Sequence, residues 1–270
     1  MQTLHPLPDI QNTVDTRGIE LEQVGVTDLR YPIMVLDPEQ GQQQTIASLT
    51  MSVSLPHHFK GTHMSRFVEV LNHYRGEFTM NTLPHLLHEM KKRLDAERAR
   101  IEVRFPYFLE RTAPVSGLKG LMDYQCTFIG ESNGHNDDFI LGVQVPVASL
   151  CPCSKEISEY GAHNQRGHVD IQVRGVREAD GQPALIWIEE LIQVAENAAS
   201  APLYPLLKRQ DERHVTMQAY DNPAFVEDIT RDVAVQLQAD ERVAWFSVQV
   251  TNFESIHNHN AFARTSWARS

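Results

Sequence analysis

The sequence predicts an α+β fold in which antiparallel sheets carry helices on one face. Apolar and polar side chains alternate strictly from Ala47 to Leu55, which is typical of a half-buried antiparallel strand. The segments 64–74 and 83–94 instead repeat apolar side chains at the spacing of amphipathic helices. A similar order of strands and helices returns in the second half of the chain. Strands on either side of a helix pair favour an antiparallel sheet that is covered on one face.

The first half is predicted to form one folded unit, residues 29–135, preceded by a flexible arm. Residues 1–28 are polar and rich in Gln, which is typical of a mobile segment. Thr82 is a predicted N-cap for the second helix, with Pro84 in its first turn. The pattern predicts strands at 31–36, 47–55, 101–109 and 121–130.

The second half is predicted to form a second unit, residues 136–270, of the same architecture. Each half contains the order strand, strand, helix, helix, strand, and the first adds one further strand. The exposed edges of such sheets need pairing, so we expect a homo-oligomer that closes them into barrels. The pattern predicts strands at 139–147, 168–176 and 244–250 and helices at 188–199 and 226–237.

Composition argues against several classes of protein. The net charge of −11, from 24 basic and 35 acidic residues, opposes non-specific binding to nucleic acid or to an anionic membrane. The sequence contains no run of about 18 apolar residues, so no membrane-spanning helix is predicted. Residues 1–15 do not resemble a signal peptide. The three cysteines, an odd number, favour a reducing compartment. We therefore expect a cytoplasmic protein.

Thiol and imidazole side chains mark the candidate site. Cys151 and Cys153 lie two positions apart, and His163 follows them in the next motif. A second imidazole pair, His257 and His259, lies near the end of the chain. Thiolate and imidazole are the ligands that a tetrahedral zinc-like ion prefers, so this set predicts metal-assisted chemistry.

A plain pair of packed thiols is the alternative interpretation, because free cysteine is often simply buried. The polar neighbours of the pair argue against a core strand. Pro152 predicts that no helix runs through the two thiols. The third thiol, Cys126, is predicted to lie in the core, and His168 receives no role.

The motifs around these residues resemble GTP cyclohydrolase of type IB. The resemblance covers about residues 45–263. It rests on residues 61–67 (Gly-Thr-His-Met-Ser-Arg-Phe), 152–158 (Pro-Cys-Ser-Lys-Glu-Ile-Ser), 161–166 (Gly-Ala-His-Asn-Gln-Arg), 207–209 (Leu-Lys-Arg), 225–228 (Phe-Val-Glu-Asp) and 253–259 (Phe-Glu-Ser-Ile-His-Asn-His).

The resemblance implies a tunnelling fold (T-fold) with two tandem units per chain, assembled as a homotetramer of stacked barrels. The implied reaction is hydrolysis of GTP at guanine C8, which yields 7,8-dihydroneopterin triphosphate and formate. This is the first step towards folate and also towards deazaguanines. No nucleic acid or membrane partner is implied.

The resemblance also assigns the metal ligands and the catalytic groups. Cys151, His163 and Glu212 would hold a divalent ion, either zinc, manganese or iron, and leave one position open for water. Cys153 would lie beside the metal in an acid–base or substrate-contacting role. His257 and His259 suit proton transfer, because imidazole titrates near neutrality, although one of them could instead contact phosphate.

Substrate recognition is assigned in the same way. The Glu227 carboxylate would accept hydrogen bonds from N1–H and the 2-amino group of guanine. Without the resemblance, Glu227 is an exposed residue at a helix start. Candidate cations for the triphosphate are Lys155, Arg166, Arg66, His63 and Arg209, each of which could equally be a surface charge or an ion-pair partner.

Two rival functions remain open from the sequence alone. An archaeal relative opens the same guanine ring but yields a cyclic phosphate. A non-catalytic nucleotide- or metal-binding protein of the same fold is the other rival. The presence of both thiols, both carboxylates and the histidine pair favours the enzyme.

Overall fold

The computed structural model describes residues 9–74, 78, 82–134, 136–179 and 181–269. Its contacts divide the chain into two compact units. One comprises residues 1–104 and 128–139, and the other comprises residues 105–127 and 140–270. Both units combine antiparallel strands with helices, so the predicted α+β class is confirmed.

The first unit is built on a long hairpin. Strand β1 (Leu21–Asp37) pairs antiparallel with β2 (Gly41–Leu55). The Asp37 carboxylate caps the turn by accepting the amides of Glu39 and Gln40, each at 2.8 Å. Gly41 follows with a φ of +80°, which a residue with a side chain rarely adopts. The turn therefore sets the hairpin register.

Two helices pack beside this hairpin, as the apolar periodicity predicts. They are α1 (Met64–Tyr74) and α2 (Thr82–Leu94). Thr82 was predicted to be the N-cap, the residue just before α2. In the structure it is the first residue of the helix itself. The inward side chains of β2 and of both helices form the core of this unit, including Leu49, Met51, Val53, Phe67, Leu71, Leu83, Leu86, Leu87 and Met90.

Strand β1 begins within the segment predicted to be a mobile arm, since its first residue is Leu21. The compact units are also interleaved along the chain, whereas the sequence places a single boundary between residues 135 and 136. The interleaving follows from strand length. Strands β3 (Arg98–Thr112), β4 (Lys119–Asn133) and β5 (Asp137–Leu150) each contribute residues to both units.

The second unit is organised by β6 (Asn164–Gly175). This strand pairs antiparallel with β5 on one side and with β8 (Val243–Asn252) on the other. Strand β9 (Ala261–Ala268) then pairs with β8, and the short β7 (Ala201–Pro202) pairs with β5. The helices are α3 (Pro152–Ile157), α4 (Ile188–Ala198), α5 (Arg209–Asp221) and α6 (Val226–Ala239).

No helix runs through both thiols, as predicted, but a short helix that was not predicted begins between them. Helix α3 begins at Pro152 and contains Cys153. Proline is tolerated in the first helical position because its missing N–H would have no intrahelical acceptor there. Pro152 thus excludes Cys151 from the helix and starts a short helix that contains Cys153.

Cys126 on β4 lies in the core as predicted, with an exposed fraction of 1%. Burial raises the pKa of the Cys126 thiol well above its usual range, and the Glu189 carboxylate acts in the same direction. The Cys126 side chain is therefore a neutral packing group. Within the described ranges, no helix is long and apolar enough to cross a membrane.

Candidate active site

The β5–β6 hairpin brings Cys151 and His163 together. Leu150, the last residue of β5, pairs with Asn164, the first residue of β6. Cys151 and His163 are the next residues outward on the two strands. The Cys151 amide donates to the His163 carbonyl at 3.2 Å, so the ladder extends one step further. A thiol and an imidazole that lie twelve positions apart in sequence are thus neighbours in the fold.

Helix α3 orders the chain between these two residues. The Ser154 amide donates to Cys151 Sγ at 3.4 Å, which makes the thiol the N-cap of the helix. The Ser154 hydroxyl contacts both sides of the hairpin, because it donates to the Cys151 carbonyl at 3.1 Å and accepts the His163 amide at 3.2 Å. Cys153 lies on the helix and is exposed, while Cys151 is half-buried.

Hydrogen bonding selects one ring nitrogen of His163. Its Nδ1 lies 3.0 Å from Gln165 Oε1 and 3.3 Å from Ser255 Oγ. The Gln165 oxygen can only accept, so Nδ1 is the donor in this contact. Nε2 is the ring nitrogen that takes no part in these two contacts. A histidine that binds a metal through one nitrogen is usually held in this way through the other.

The buried hydroxyl of Ser149 links three segments that carry candidate residues. It donates to the Ala224 carbonyl at 3.0 Å and accepts from Asn252 Nδ2 at 3.0 Å. The Ala224 amide in turn donates to the Leu150 carbonyl at 3.1 Å. These bonds tie together the end of β5, the loop before α6 and the end of β8. Cys151, Glu227 and the segment with His257 follow within a few residues of the tied points.

Gly167 permits the close approach of β6 and β8. A β-carbon added at Gly167 would lie 2.5 Å from the Asn252 side-chain oxygen and 2.8 Å from the Thr251 carbonyl. The backbone continues this contact, since the Phe253 amide donates to the Arg166 carbonyl at 2.9 Å. The segment after β8 is therefore fixed against the start of β6.

His257 and His259 lie in the exposed segment between β8 and β9. Their rings stack with centroids 5.1 Å apart. Ser255, in the same segment, is the residue that contacts His163 Nδ1. His168 lies on β6 with its ring edge-on to Phe253, and burial lowers the pKa of this imidazole, so His168 favours the neutral form.

Glu227 occupies the first turn of α6, and its side chain is exposed. The neighbouring Asp228 carboxylate accepts the Phe225 amide at 3.1 Å and caps the helix. Because Asp228 forms the cap, the Glu227 carboxylate takes no part in it. Glu227 lies at the N-terminal end of the helix, where the helix dipole favours a negative charge.

Glu212 and Arg209 lie in the first turn of α5, and both are exposed. Among the described residues, no group of three or more His, Cys, Asp or Glu side chains is arranged to hold a metal ion. The structure thus brings together Cys151 and His163 but does not add Glu212 to them. In donor chemistry and in the orientation of His163, this pair fits a thiolate–imidazole metal site.

The candidate phosphate-binding cations have different surroundings. The Lys155 ammonium donates to the Tyr220 carbonyl at 2.5 Å and lies 4.3 Å from the centroid of the Tyr220 ring. Arg166 is exposed on β6. Arg66 and His63 belong to the first unit, where Arg66 donates to the carbonyl of Arg93 at 2.8 Å. His63 Nε2 lies 3.3 Å from the Asp9 carboxylate.

The sequence interpretation missed the residues that orient the candidate ligands. Gln165 is buried and lies in phase with the apolar positions Val169, Ile171 and Val173 of β6. A polar residue on the buried face of a strand was the available signal. Ser149 and Asn252 give the same signal, since Ser149 is in phase with the buried Val145 and Val147 of β5, and Asn252 with the buried Val248 and Val250 of β8. Their pairing with each other could not be predicted, because it depends on contacts between distant segments.

Comparison with known proteins identifies the family of the chain. Residues 7–263 match the model of a family described as type I GTP cyclohydrolase folE2. The GTP cyclohydrolase FolE2 of Geobacter sulfurreducens is 53% identical over 257 residues, which cover 95% of this chain and 96% of that protein. The FolE2 of Syntrophotalea carbinolica is 55% identical over 255 residues, covering 94% of this chain and 93% of that protein.

Solved structures with a similar fold are urate oxidases. Uricase from Arthrobacter globiformis aligns over 92% of this chain and 93% of its own with a TM-score of 0.52 at 9% identity. Urate oxidase from Bacillus subtilis aligns over 92% of this chain and 99% of its own with a TM-score of 0.52 at 10% identity. At this identity the likeness concerns the fold alone.

The family match spans nearly the whole chain, and the relatives are similar over nearly their whole length. It includes every motif that suggested a cyclohydrolase. The chain therefore belongs to the type I GTP cyclohydrolase FolE2 family.

Proposed function

We propose that this chain hydrolyses GTP at guanine C8 to 7,8-dihydroneopterin triphosphate and formate, as a cyclohydrolase of type IB. The observation that carries the proposal is the pairing of Cys151 with His163 at the end of the β5–β6 hairpin, with His163 Nδ1 hydrogen-bonded to Gln165. Membership of the FolE2 family supports the same conclusion. The product would serve folate or deazaguanine synthesis.

Cys151 and His163 would hold a divalent metal ion, with Glu212 as the third ligand. Thiolate and imidazole suit zinc, and a carboxylate with an open position also admits manganese or iron. When bound, such an ion supplies the Lewis acidity that makes water a nucleophile near neutral pH. The bond from His163 Nδ1 to Gln165 supports the role of His163, because it would leave Nε2 to bind the metal.

Cys153 and the histidine pair would move protons. Opening of the imidazole ring breaks one bond between C8 and nitrogen, and loss of formate breaks the other. Each nitrogen released in this way must gain a proton. Cys153 is exposed on α3, next to the cap formed by Cys151. His257 and His259 share the segment that reaches His163 through Ser255. Their position supports proton transfer by one of these histidines.

Glu227 would recognise guanine, and cations would hold the triphosphate. A carboxylate at the start of α6 can accept N1–H and the 2-amino group together, which favours guanine over adenine. Lys155, Arg166 and Arg209 lie in the same unit as Glu227, and Arg66 and His63 lie in the other. Each of these five residues is an individual candidate for phosphate binding.

The assembly would be a cytoplasmic homotetramer of tunnelling-fold subunits. Each of the two compact units would contribute strands to closed barrels. The exposed apolar side chains of Phe253, Ile256 and Phe262 support an interface near β9.

The function itself is tested by turnover. Purified chain supplied with a divalent metal and GTP is expected to release formate and a dihydropterin in equal amounts. Oxidation of the dihydropterin gives a fluorescent pterin that can be measured. Mass spectrometry should identify the linear triphosphate of dihydroneopterin. A cyclic phosphate product would assign the chain to the archaeal reaction type, and binding of GTP without any product would make it a non-catalytic member.

The metal assignment predicts a separation between the two neighbouring thiols. Cys151→Ala and His163→Ala should lose bound metal, measured by elemental analysis, because each removes a ligand. Cys153→Ala should keep its metal and lose turnover. Cys126→Ala is the matched control, because it also removes a thiol, but one that packs in the core and has no proposed role in the site. Near-normal turnover by Cys153→Ala would disprove its catalytic role.

The tetramer predicts a mass of about four times the 30.7 kDa of the chain in sedimentation equilibrium. The mass should stay constant across a range of protein concentrations, because closed barrels leave no free strand edges. A folded and fully active monomer would contradict the proposed assembly.

Glu227→Gln is predicted to weaken GTP binding by about 10- to 100-fold, because a donor then faces two donors of guanine. Metal content and oligomeric state should not change. Inosine triphosphate lacks the 2-amino group and should lose less affinity than GTP. Asp232→Asn, an exposed carboxylate on the same helix, is the control. Equal losses for both nucleotides would mean that Glu227 does not contact the 2-amino group.

A further inference from the structure

Asp211 is a fully buried carboxylate in the first turn of α5, with an exposed fraction of 0%. Its Oδ1 accepts the amides of Val115 and Ser116, each at 2.8 Å. Its Oδ2 accepts the Ser116 hydroxyl at 2.7 Å and the Lys208 amide at 2.9 Å. Burial alone would raise the pKa of Asp211, but these bonds, led by those from Ser116, hold it well below its usual range.

Helix α5 has little else to fix its N-terminal turn. Of its residues, all within the described part of the chain, Asp211 and Ala219 are the buried ones. Ala219 lies near the opposite end of the helix. An apolar face, which anchors most helices, is therefore missing from the first turns. The hydrogen-bonded carboxylate takes the place of that face.

The partners of Asp211 come from a turn with a defined shape. Residues 113–118 connect β3 to β4, with the Ala113 amide donating to the Leu118 carbonyl at 2.8 Å. Gly117 in this turn has a φ of +69°. Consecutive amides that point at one oxygen form a compact anion-binding surface. The turn therefore holds Asp211 at a fixed position and angle.

We infer that Asp211 is a positioning residue, which sets the place of Glu212 and Arg209 by fixing the first turn of α5 to the 113–118 turn. The inference rests on the proposed function, in which Glu212 is the third metal ligand. Glu212 follows Asp211 directly in the chain, so a shift of the anchored turn moves its carboxylate too. Loosening this turn should therefore weaken metal binding although Asp211 does not touch the metal.

The test measures zinc affinity by competition with a chelator, on the full-length protein. Asp211→Asn places an amide nitrogen against donors and should weaken zinc binding by about 10- to 100-fold, the usual effect of removing a residue that supports a ligand. Ser116→Ala removes a single bond to Oδ2 and should cause a smaller loss in the same direction. Thermal unfolding measured alongside reports stability.

Glu190→Gln is the matched control. Glu190 occupies the same helical position in α4, where it accepts the Trp187 amide at 2.9 Å and also pairs with Arg242. This variant should lower the unfolding temperature but leave zinc affinity within about twofold. An equal loss of zinc affinity in Glu190→Gln would show a general effect of destabilisation and overturn the inference.

A further variant separates this inference from the proposed function. If Glu212→Ala loses zinc affinity while Asp211→Asn keeps it, positioning by Asp211 is wrong and the ligand assignment stands. If Glu212→Ala binds zinc like the parent protein, the ligand assignment fails, and the inference fails with it. Should Asp211→Asn not fold, Ser116→Ala decides, and an unchanged zinc affinity in that variant overturns the inference.

Discussion

The arrangement of the candidate site depends on the hydrogen bonds of the Ser149 hydroxyl. This hydroxyl is fully buried and links the end of β5 both to the loop before α6 and to the end of β8. A buried donor or acceptor left without a partner costs about 1–3 kcal/mol, so the bonds to Ala224 and Asn252 strongly favour one relative placement of these segments. Gly167 makes this placement sterically feasible, because a side chain there would collide with Asn252.

Charge acts at two length scales in this chain. The net charge of −11 disfavours the approach of an anionic substrate, whereas local cations and a bound metal would favour it. Lys155 illustrates the local scale, since its ammonium is held over the Tyr220 ring. In the proposed function, a few fixed cations would select the triphosphate by geometry, because long-range attraction of a polyanion to an acidic protein is weak.

Much of the fold could be predicted from the sequence, wherever burial of one face makes apolar residues recur at the spacing of a strand or a helix. The alternation at Ala47 to Leu55 and the apolar stripes of α1, α2, α4 and α6 correspond to elements of the structure. Helix α5 was missed because it buries a carboxylate and an alanine instead of an apolar face. Strand β9 was missed because its half-buried positions include small and polar residues such as Ala263 and Thr265.

The candidate site was predicted unevenly for a related reason. Cys151 and His163 were found because their chemistry is rare, and the hairpin register explains their meeting. Gln165 and Asp211, which orient or hold candidate ligands, are ordinary residue types whose roles depend on burial. The start of helix α3 at Pro152 was not predicted, because proline was considered only as a helix breaker. Position within the helix decides its effect.

The central claim is that Cys151, and not Cys153, supplies the sulfur ligand of a metal that His163 also binds. X-ray absorption spectroscopy of the zinc-loaded protein measures this directly. The account predicts one sulfur at about 2.3 Å from zinc, accompanied by nitrogen or oxygen ligands. That sulfur should persist in Cys153→Ala, whereas Cys151→Ala should retain no zinc at this site. Two sulfur ligands, or a single one that disappears in Cys153→Ala, would contradict the account.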